Sequence, residues 1–399
     1  MRGPLEGIRV VEACQMVSGP LATMLLADQG AEVVKLETAD GIGDRFRHVG
    51  TRHRGMGAAF GSSNRGKRSV VLDLKDERGR EAAHALVAGA DVFVQNFRPG
   101  AAERIGLGET ELRAVNTDLV YVSISGFGPD GPYADQMVYD FVIQALTGMA
   151  DLQRDRADRP DLVKNIAIDK ATAYTVAQAI TAALLARERG AGGTHVRVSM
   201  IEVGLAFFWP DGMVNHTFLG DDVRLAAPLA DTYEVRATKD GDVALLANGN
   251  RTWPRLCAAL EPAWLEDPRF ATYEDRMRNG AELAAAVDVV LARLTTDEVI
   301  ERLRANDLPG AAVTAIDDVH LDPQVEHLGA VVETDWPGVG PVRQPVPAAR
   351  FADDQLSAGG VPPRYGEHTE EVLGELGWSG ERIESMRADG VLGPTERGR

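Results

Sequence analysis

The 399-residue sequence predicts an α/β fold, a doubly wound and mostly parallel sheet with a second, smaller α+β domain. Three observations carry that expectation. Short, continuously apolar segments recur through the first half of the chain, each followed by a stretch with helical spacing. Strands apolar on both faces belong in a parallel sheet covered by helices. Composition then shifts over 204–230, where FFWPDGMVNHTFLGDD is aromatic and turn-rich instead of periodic, and beyond it a hairpin pattern followed by helices begins.

IRVVEA (8–13) reads as the first strand and GPLATMLLADQG (19–30) as a helix, with Pro20 in its first turn and Gly30 as its stop. AEVVKLE (31–37) is the second strand, and a polar Gly/Arg-rich loop follows to about residue 66. SVVLDL (69–74), DERGREAAHALVAG (76–89) and DVFVQNF (91–97) repeat strand, helix, strand; DLVYVSIS (118–125) and THVRVSM (194–200) add two more strands. Between those two, the β-branched NIAIDK (165–170) leads into a long Ala-rich helical pattern at Asp169. TYEVRATKDGDVALLA turns at Lys239-Asp240-Gly241, and helices are expected over 253–261, 280–294 and 296–305. The tail returns to extended segments and the short acidic helix GEHTEEVLGELG. The expected division is a large Rossmann-like α/β domain over 1–205, a linker over 206–229, a small α+β domain over 230–325, and a linker with a return to the large domain over 326–399.

A net charge of −18 argues against non-specific binding to nucleic acid or to an anionic membrane surface, since both require a basic face. Local Lys and Arg can still hold a small anion. Cys14 and Cys257 form no CxxC pair and cannot make a disulfide framework, so a reducing cytoplasm is the expected setting. The opening MRGPLEGIRVVEA runs almost directly into a strand pattern, and no secretory leader or bilayer-spanning run is expected. Eight scattered histidines make no HxH or HxxxH ligand pattern, so no metal is expected. The absence of GxGxxG and GxSxG weighs against a nicotinamide site and a hydrolase elbow.

Ligands of doubly wound sheets bind beyond the strands' C-terminal ends, where the winding reverses. Candidate residues therefore cluster at strand exits. Met16-Val17-Ser18-Gly19 forms the first strand-to-helix turn, where free N–H groups can approach a ligand, or simply a tight turn. Glu37 ends the second strand, as a ribose contact or a solvated carboxylate. Leu72 and Lys75 end VVLDLK; Asn96, Phe97 and Arg98 follow DVFVQ, with Pro99-Gly100 breaking the chain behind them. Arg104, taken alone, reads as a solvated helix residue. Asp140 is equally a cap for FVIQALTGM or a substrate contact. Asp169, on the first turn of its helix, is an N-cap or an anion held by unpaired N–H groups. Cys14 reads as core.

The order of PLEGIRVVEACQMVSGPLATMLLADQGAEVVKLE, NRGKRSVVLDLKDERGRE, DVFVQNFRPG, ERIGLG, YVSISGFGPDGPYAD, VYDFVIQALTGM, RVSMIE, DPRFATYEDRMRN and GEHTEEVLGELGW resembles the family III CoA-transferases over nearly the whole chain. That group includes the formyl-CoA:oxalate and carnitine CoA-transferases. The resemblance implies Asp169 as a covalent nucleophile. It implies CoA contacts at Met16, Val17, Ser18, Leu72, Lys75, Asn96, Phe97, Arg98, Arg104, Ile105, Tyr139 and Asp140. Phe97 would stack on adenine, while Lys75 and Arg104 would meet phosphates. Coenzyme A enters as substrate, with an acyl-CoA donor, a carboxylic acid acceptor, no tightly bound cofactor and no metal.

Related racemases carry a histidine base where this chain has Tyr139. A neutral phenol, with a reference pKa of about 10, is a poor base for an α-proton, which disfavours racemisation. Asn248-Gly249-Asn250 occupies the region of a longer glycine-rich loop in oxalate-specific members. One glycine in place of a run disfavours oxalate, and a plain type I′ turn is the competing reading. Met200, Trp209 and Met213 point to a larger acyl group. The family's dimers are interlocked, each chain threading the other, with the crevice completed by the partner's smaller domain; 204–230 and 326–350 fit such connectors.

Overall fold

Six strands hydrogen-bond in parallel through the larger part of the computed structural model, which describes residues 3–154, 157–226, 228–246, 249–351 and 359–394. In chain order the elements are β1 (Arg9–Ala13), α1 (Ser18–Asp28), β2 (Glu32–Thr38), the two-residue strands β3 (Arg52–His53) and β4 (Met56–Gly57), α2 (Ala58–Asn64), β5 (Lys67–Leu72), α3 (Glu77–Ala88) and β6 (Val92–Gln95). They continue with α4 (Ala101–Arg104), α5 (Glu109–Val115), β7 (Val120–Ser125), α6 (Asp140–Leu146), α7 (Met149–Leu152), α8 (Ala167–Ala186), β8 (Thr194–Ser199) and α9 (Met200–Gly212). The sheet order is β5-β2-β1-β6-β7-β8, and every neighbouring pair is parallel. The chain thus winds outward from β1 in one direction, then returns to β6 and winds in the other. That reversal between β1 and β6 opens a crevice at their C-terminal ends.

Both faces of the sheet are covered, as the apolar strand runs require. Val10, Val33, Val92, Val94 and Val122 pack against Ala22 and Leu26 of α1 and against Ala173, Val176 and Ile180 of α8. On the other face Val34, Val70, Phe93 and Tyr121 meet Ala82, Ala83 and Val87 of α3, together with Val372, Leu373 and Met386 from the C-terminal segment. That segment also seals the β5 edge: His368 N–H donates to Ser69 O (3.0 Å), and Val71 N–H donates to Thr369 Oγ1 (3.1 Å).

Three stretches depart from the expectations. Residues 58–64, expected within a loop, form α2. The aromatic stretch beginning at 204 is helical through Gly212, because α9 starts at Met200, directly after β8, and carries Phe207, Phe208 and Pro210. NIAIDK contains no strand: α8 begins at Ala167 with Ile166 as its N-cap.

The chain divides into two compact units, Met1–Phe208 with His327–Arg399, and Trp209–Glu326. The second holds an antiparallel sheet of β9 (Val235–Ala237), β10 (Asp242–Leu245) and β11 (Gly310–Ala312) in the order β11-β10-β9. The expected hairpin turn at 239–241 is closed by Thr238 N–H to Gly241 O (2.8 Å). Trp253, Trp264, Phe270, Leu291 and Leu303 centre its core. Within the first unit, β12 (Val331–Trp336) and β13 (Gly340–Pro345) form an antiparallel ribbon. No helix among the described residues is long and apolar enough to cross a membrane.

Candidate active site

Asp169 is the third residue of α8, and its carboxylate faces the first turn of a second helix. Ser18, the first residue of α1, donates its hydroxyl to Asp169 Oδ1 at 2.7 Å. α1 and α8 pack along one another, which brings the first turns of the two helices together at this carboxylate. The N-cap reading of Asp169 is corrected: Ile166 takes that position. Burial raises the Asp169 carboxyl above its ordinary value; Ser18 opposes the shift and the nearby Asp140 charge adds to it.

Asp140 takes a third role, neither cap of its own helix nor a residue of the cavity wall. Buried at the first position of α6, it accepts the Asp169 backbone N–H on Oδ2 (2.9 Å) and the Gln144 amide on Oδ1. Gln144 then binds the segment before α8, donating to Asn165 O (3.1 Å) and accepting from Val163 N–H (3.0 Å). α6 therefore clamps the start of α8 through side chains, and the Asp169 backbone is fixed by Asp140.

The β1–α1 turn is held as firmly. Met16 sits at φ 67°, a strained region for a side chain of its size. Its N–H donates to Asp44 Oδ1 (3.0 Å). Asn96 grips the preceding residue, accepting Gln15 N–H (3.0 Å) and donating to Gln15 O (2.7 Å). Asn96 thus shapes the turn, with both ends of its amide engaged. Gly19 is required here, because a Cβ at that position would lie 2.4 Å from Cys14 Sγ.

Asp44 belongs to a buried ion network. Lys35 bridges Asp44 (2.9 Å) and Glu12 (3.1 Å), and Glu12 also meets Lys67 (2.9 Å). Burial opposes the charge on Lys35, but Asp44 and Glu12 outweigh it and push its pKa up. Burial wins at Lys67, which falls to about 8 despite Glu12. Glu37 corrects the solvated reading: it is buried, its carboxylate held by Arg47 (2.6 Å) and Ser69 (2.6 Å), while the residue lines a cavity at the strand exits.

Two cavities meet at Gln15 and Phe97, above the reversal between β1 and β6. The first, of about 390 Å³, is lined by Leu72, Lys75, Phe97 and Ile105 together with Leu36, Thr38 and Asp40. The second, of about 480 Å³, contains Met16, Ser18, Asn96, Arg98, Tyr139, Asp169 and Met200. A slot with an apolar part at Leu36, Leu72, Phe97 and Ile105, and with Lys75 and the carboxylates of Glu37, Asp40, Asp44 and Asp73 on its walls, thus adjoins the cavity that holds the half-buried Asp169 carboxylate. Val17 lies at the N-cap of α1 and lines a different cavity, behind that helix. Arg104 is exposed at the end of α4 and lines neither half of the crevice, folding back over Gly100 instead.

The NGN segment lies in the second unit, and Asn248 falls outside the described residues. Gly249 does not close a hairpin: its carbonyl accepts Thr252 and Trp253 N–H groups at the start of a helix. The Asn250 side chain accepts from Arg276 (2.6 Å). Trp209 and Met213 also belong to that unit.

Sequence reasoning missed the Ser18 hydroxyl as the partner of Asp169, the Asp140–Gln144 clamp and Arg45 in the cavity wall. Capping-type residues at both helix starts were visible, but a pair 151 positions apart has no local signal.

A half-buried carboxylate at the switch point of a doubly wound sheet, beside a second cavity, has the layout of an α/β enzyme site. The family model for CoA-transferase family III matches residues 5–369, and the chain belongs to that family. It is similar to succinate–glutarate CoA-transferase of Agrobacterium fabrum, with 32% identity covering 94% of this chain and 96% of the relative. Formyl-CoA:oxalate CoA-transferase of Escherichia coli is 30% identical over 98% of this chain and 100% of its own length. The crystal structure of a CaiB/BaiF family protein from Brucella suis superposes with a TM-score of 0.81 at 30% identity, covering 94% and 100% of the two chains. The protein is a transferase, and CoA thioesters are the substrates of its family.

Proposed function

We propose that this enzyme moves CoA from an acyl-CoA to an acceptor carboxylic acid through covalent intermediates on Asp169. The supporting observation is the half-buried Asp169 carboxylate, held by Ser18 at two helix starts inside the cavity that continues the slot of Leu72, Phe97 and Ile105. The adenine end of CoA occupies that slot with Lys75 at its phosphates, and the pantetheine passes Phe97 toward Asp169.

Asp169 attacks the thioester carbonyl carbon; the C–S bond breaks, leaving an aspartyl-acyl anhydride and CoA thiolate. The thiolate attacks the aspartyl carbonyl, releasing the donor acid as carboxylate and leaving an aspartyl-CoA thioester. The acceptor carboxylate attacks that thioester, and the freed thiolate then takes the acyl group from the new anhydride, restoring Asp169. No net proton is consumed. Burial serves twice, because a desolvated carboxylate is a better nucleophile and because water would hydrolyse both intermediates. Ser18, at the start of α1, supplies a donor beside the site where oxyanion charge develops.

The working unit is an interlocked homodimer whose partner completes the crevice. Succinate and glutarate, the acids named for a relative, are the first acceptors to test. Asp169→Ala is expected to reduce transfer at least about a thousandfold while CoA affinity is retained. Hydroxylamine added after the donor acyl-CoA should mark wild-type enzyme at Asp169, read by peptide mass spectrometry. Normal turnover by the alanine variant would overturn the covalent route.

A further inference from the structure

The cavity around Asp169 contains a cation that CoA transfer itself leaves without a task. Among the described residues, Arg45 and Arg98 are the two cations that line it, and Asp169 is its single anion. Arg98 also borders a neighbouring cavity of about 450 Å³ that is rich in carboxylates, including Glu103, Glu109, Glu111 and Glu202. Arg45 has no such surroundings. No ion pair or side-chain hydrogen bond engages its guanidinium among the described residues, whereas Arg47, two positions on, is buried against Glu37.

The backbone that carries Arg45 is nevertheless rigid. Residues Arg45–His48 form a 3₁₀ turn capped by Asp44, which accepts Phe46 N–H (2.9 Å) and is itself anchored by Lys35 (2.9 Å). The same Asp44 fixes Met16 (3.0 Å), so the Arg45 turn and the turn beside the nucleophile share one anchor. The cavity wall shared with Asp169 carries the apolar side chains Met16, Ile124, Met137, Val138 and Met200 beside the neutral polar Ser125, Gln136 and Tyr139. It offers an aliphatic chain a surface, and the charged partners it offers a second carboxylate are the guanidinium groups of Arg45 and Arg98.

Resting on the reaction proposed above, we propose that Arg45 selects the acceptor: the acid is an aliphatic α,ω-dicarboxylate. One carboxylate reacts at the Asp169 thioester, the methylenes lie along Met137 and Met200, and the far carboxylate remains ionised on Arg45. No bond to Arg45 forms or breaks. Planar guanidinium and carboxylate pair through two parallel hydrogen bonds, and a site built for a charged end rejects the analogue that lacks it.

The test pairs acceptors of equal length, glutarate with valerate and succinate with butyrate, on the full-length enzyme. Wild type is expected to favour each diacid. Arg45→Ala should reduce that preference in kcat/KM about 30-fold, carried mainly by the KM of the diacid, and Arg45→Lys should recover part of it. A second arm measures equilibrium binding of glutarate and valerate to enzyme preloaded with CoA; there too the alanine variant should lose the preference. A third titrates CoA alone, and its affinity should change less than threefold.

Loss of CoA affinity with both acids suffering equally would overturn the proposal, making Arg45 a phosphate contact. An unchanged diacid preference in the alanine variant, or a wild type without one, would overturn it as well. Should Asp169→Ala turn over normally, the covalent route fails, while the binding arm still decides the role of Arg45.

Discussion

A carboxylate that attacks a thioester must be ionised yet poorly solvated, and the neighbours of Asp169 pull these requirements apart. Burial and the Asp140 charge both raise its pKa, whereas the Ser18 hydroxyl stabilises the ionised form. Only the ionised form is a nucleophile, so kcat/KM falls as pH drops through this raised pKa. The acid limb of the profile should therefore lie above 3.8, the ordinary value for aspartic acid. Ser18→Ala removes a donor to the anion. It should move that limb upward and lower kcat/KM at neutral pH about tenfold, because a hydrogen bond to a charged group contributes about 1.5–3 kcal/mol. Asp140→Asn removes a like charge but keeps an oxygen for the Asp169 N–H, and should move the limb downward. Rate profiles of the three enzymes check both signs. An upward shift in the asparagine variant would mean that Asp140 acts through geometry alone.

Elements reach their places here through buried ions as much as through apolar packing. Glu12 on β1, Lys35 on β2 and Lys67 on β5 form one fully buried cluster across three adjacent strands. Removing one partner of such a cluster leaves another charge without compensation in a poorly solvated interior. Glu12→Ala should thus destabilise the protein by about 3–5 kcal/mol. Glu375, paired with Arg68 at 2.8 Å with its side chain 53% exposed, should cost less than about 1 kcal/mol when replaced by alanine. Urea midpoints of the two variants give the comparison, and equal shifts would contradict it.

This cluster also marks the limit of what the chain discloses when read in order. The strands were legible because runs such as VVEA, EVVKLE and VVLDL are β-branched and apolar on both faces. Asp169 was legible because a carboxylate on a helical first turn has a local signature. Glu37 was not: its burial depends on Arg47 and Ser69 closing over it from two other segments. α2 and α9 were missed for another reason, since AAFGSSN and the aromatic run ending at Pro210 are poor helix patterns that packing overrides. The Asp140 clamp spans 29 residues and exists only once α6 lies beside the start of α8.

At the scale of the molecule, the path of the chain matters more than either unit. Both chain ends belong to the first unit, and Trp209–Glu326 is spliced between its two parts. A chain that leaves one body and returns to it has the connectivity that an interlocked pair requires. The first unit also leaves large apolar side chains uncovered on α6, α8 and α9: Phe141, Leu146, Tyr174, Leu185 and Phe207. Leu21 and Leu25 of α1, Ile166 and Tyr174 at α8, and Val346 line an apolar cavity of about 780 Å³. These surfaces support the interlocked homodimer proposed above, and linked rings behave differently from surfaces that merely adhere. An adhering dimer separates on dilution at a rate set by its interface, whereas linked chains must unfold before they part. Sedimentation should therefore give twice the 42.9 kDa chain mass down to nanomolar concentration. Two differently tagged dimers mixed at 25 °C should form no hybrids over days, and should form them after urea unfolding and refolding. Exchange under native conditions would replace the linked arrangement with a simple interface, and a monomer would leave the crevice without the partner's contribution.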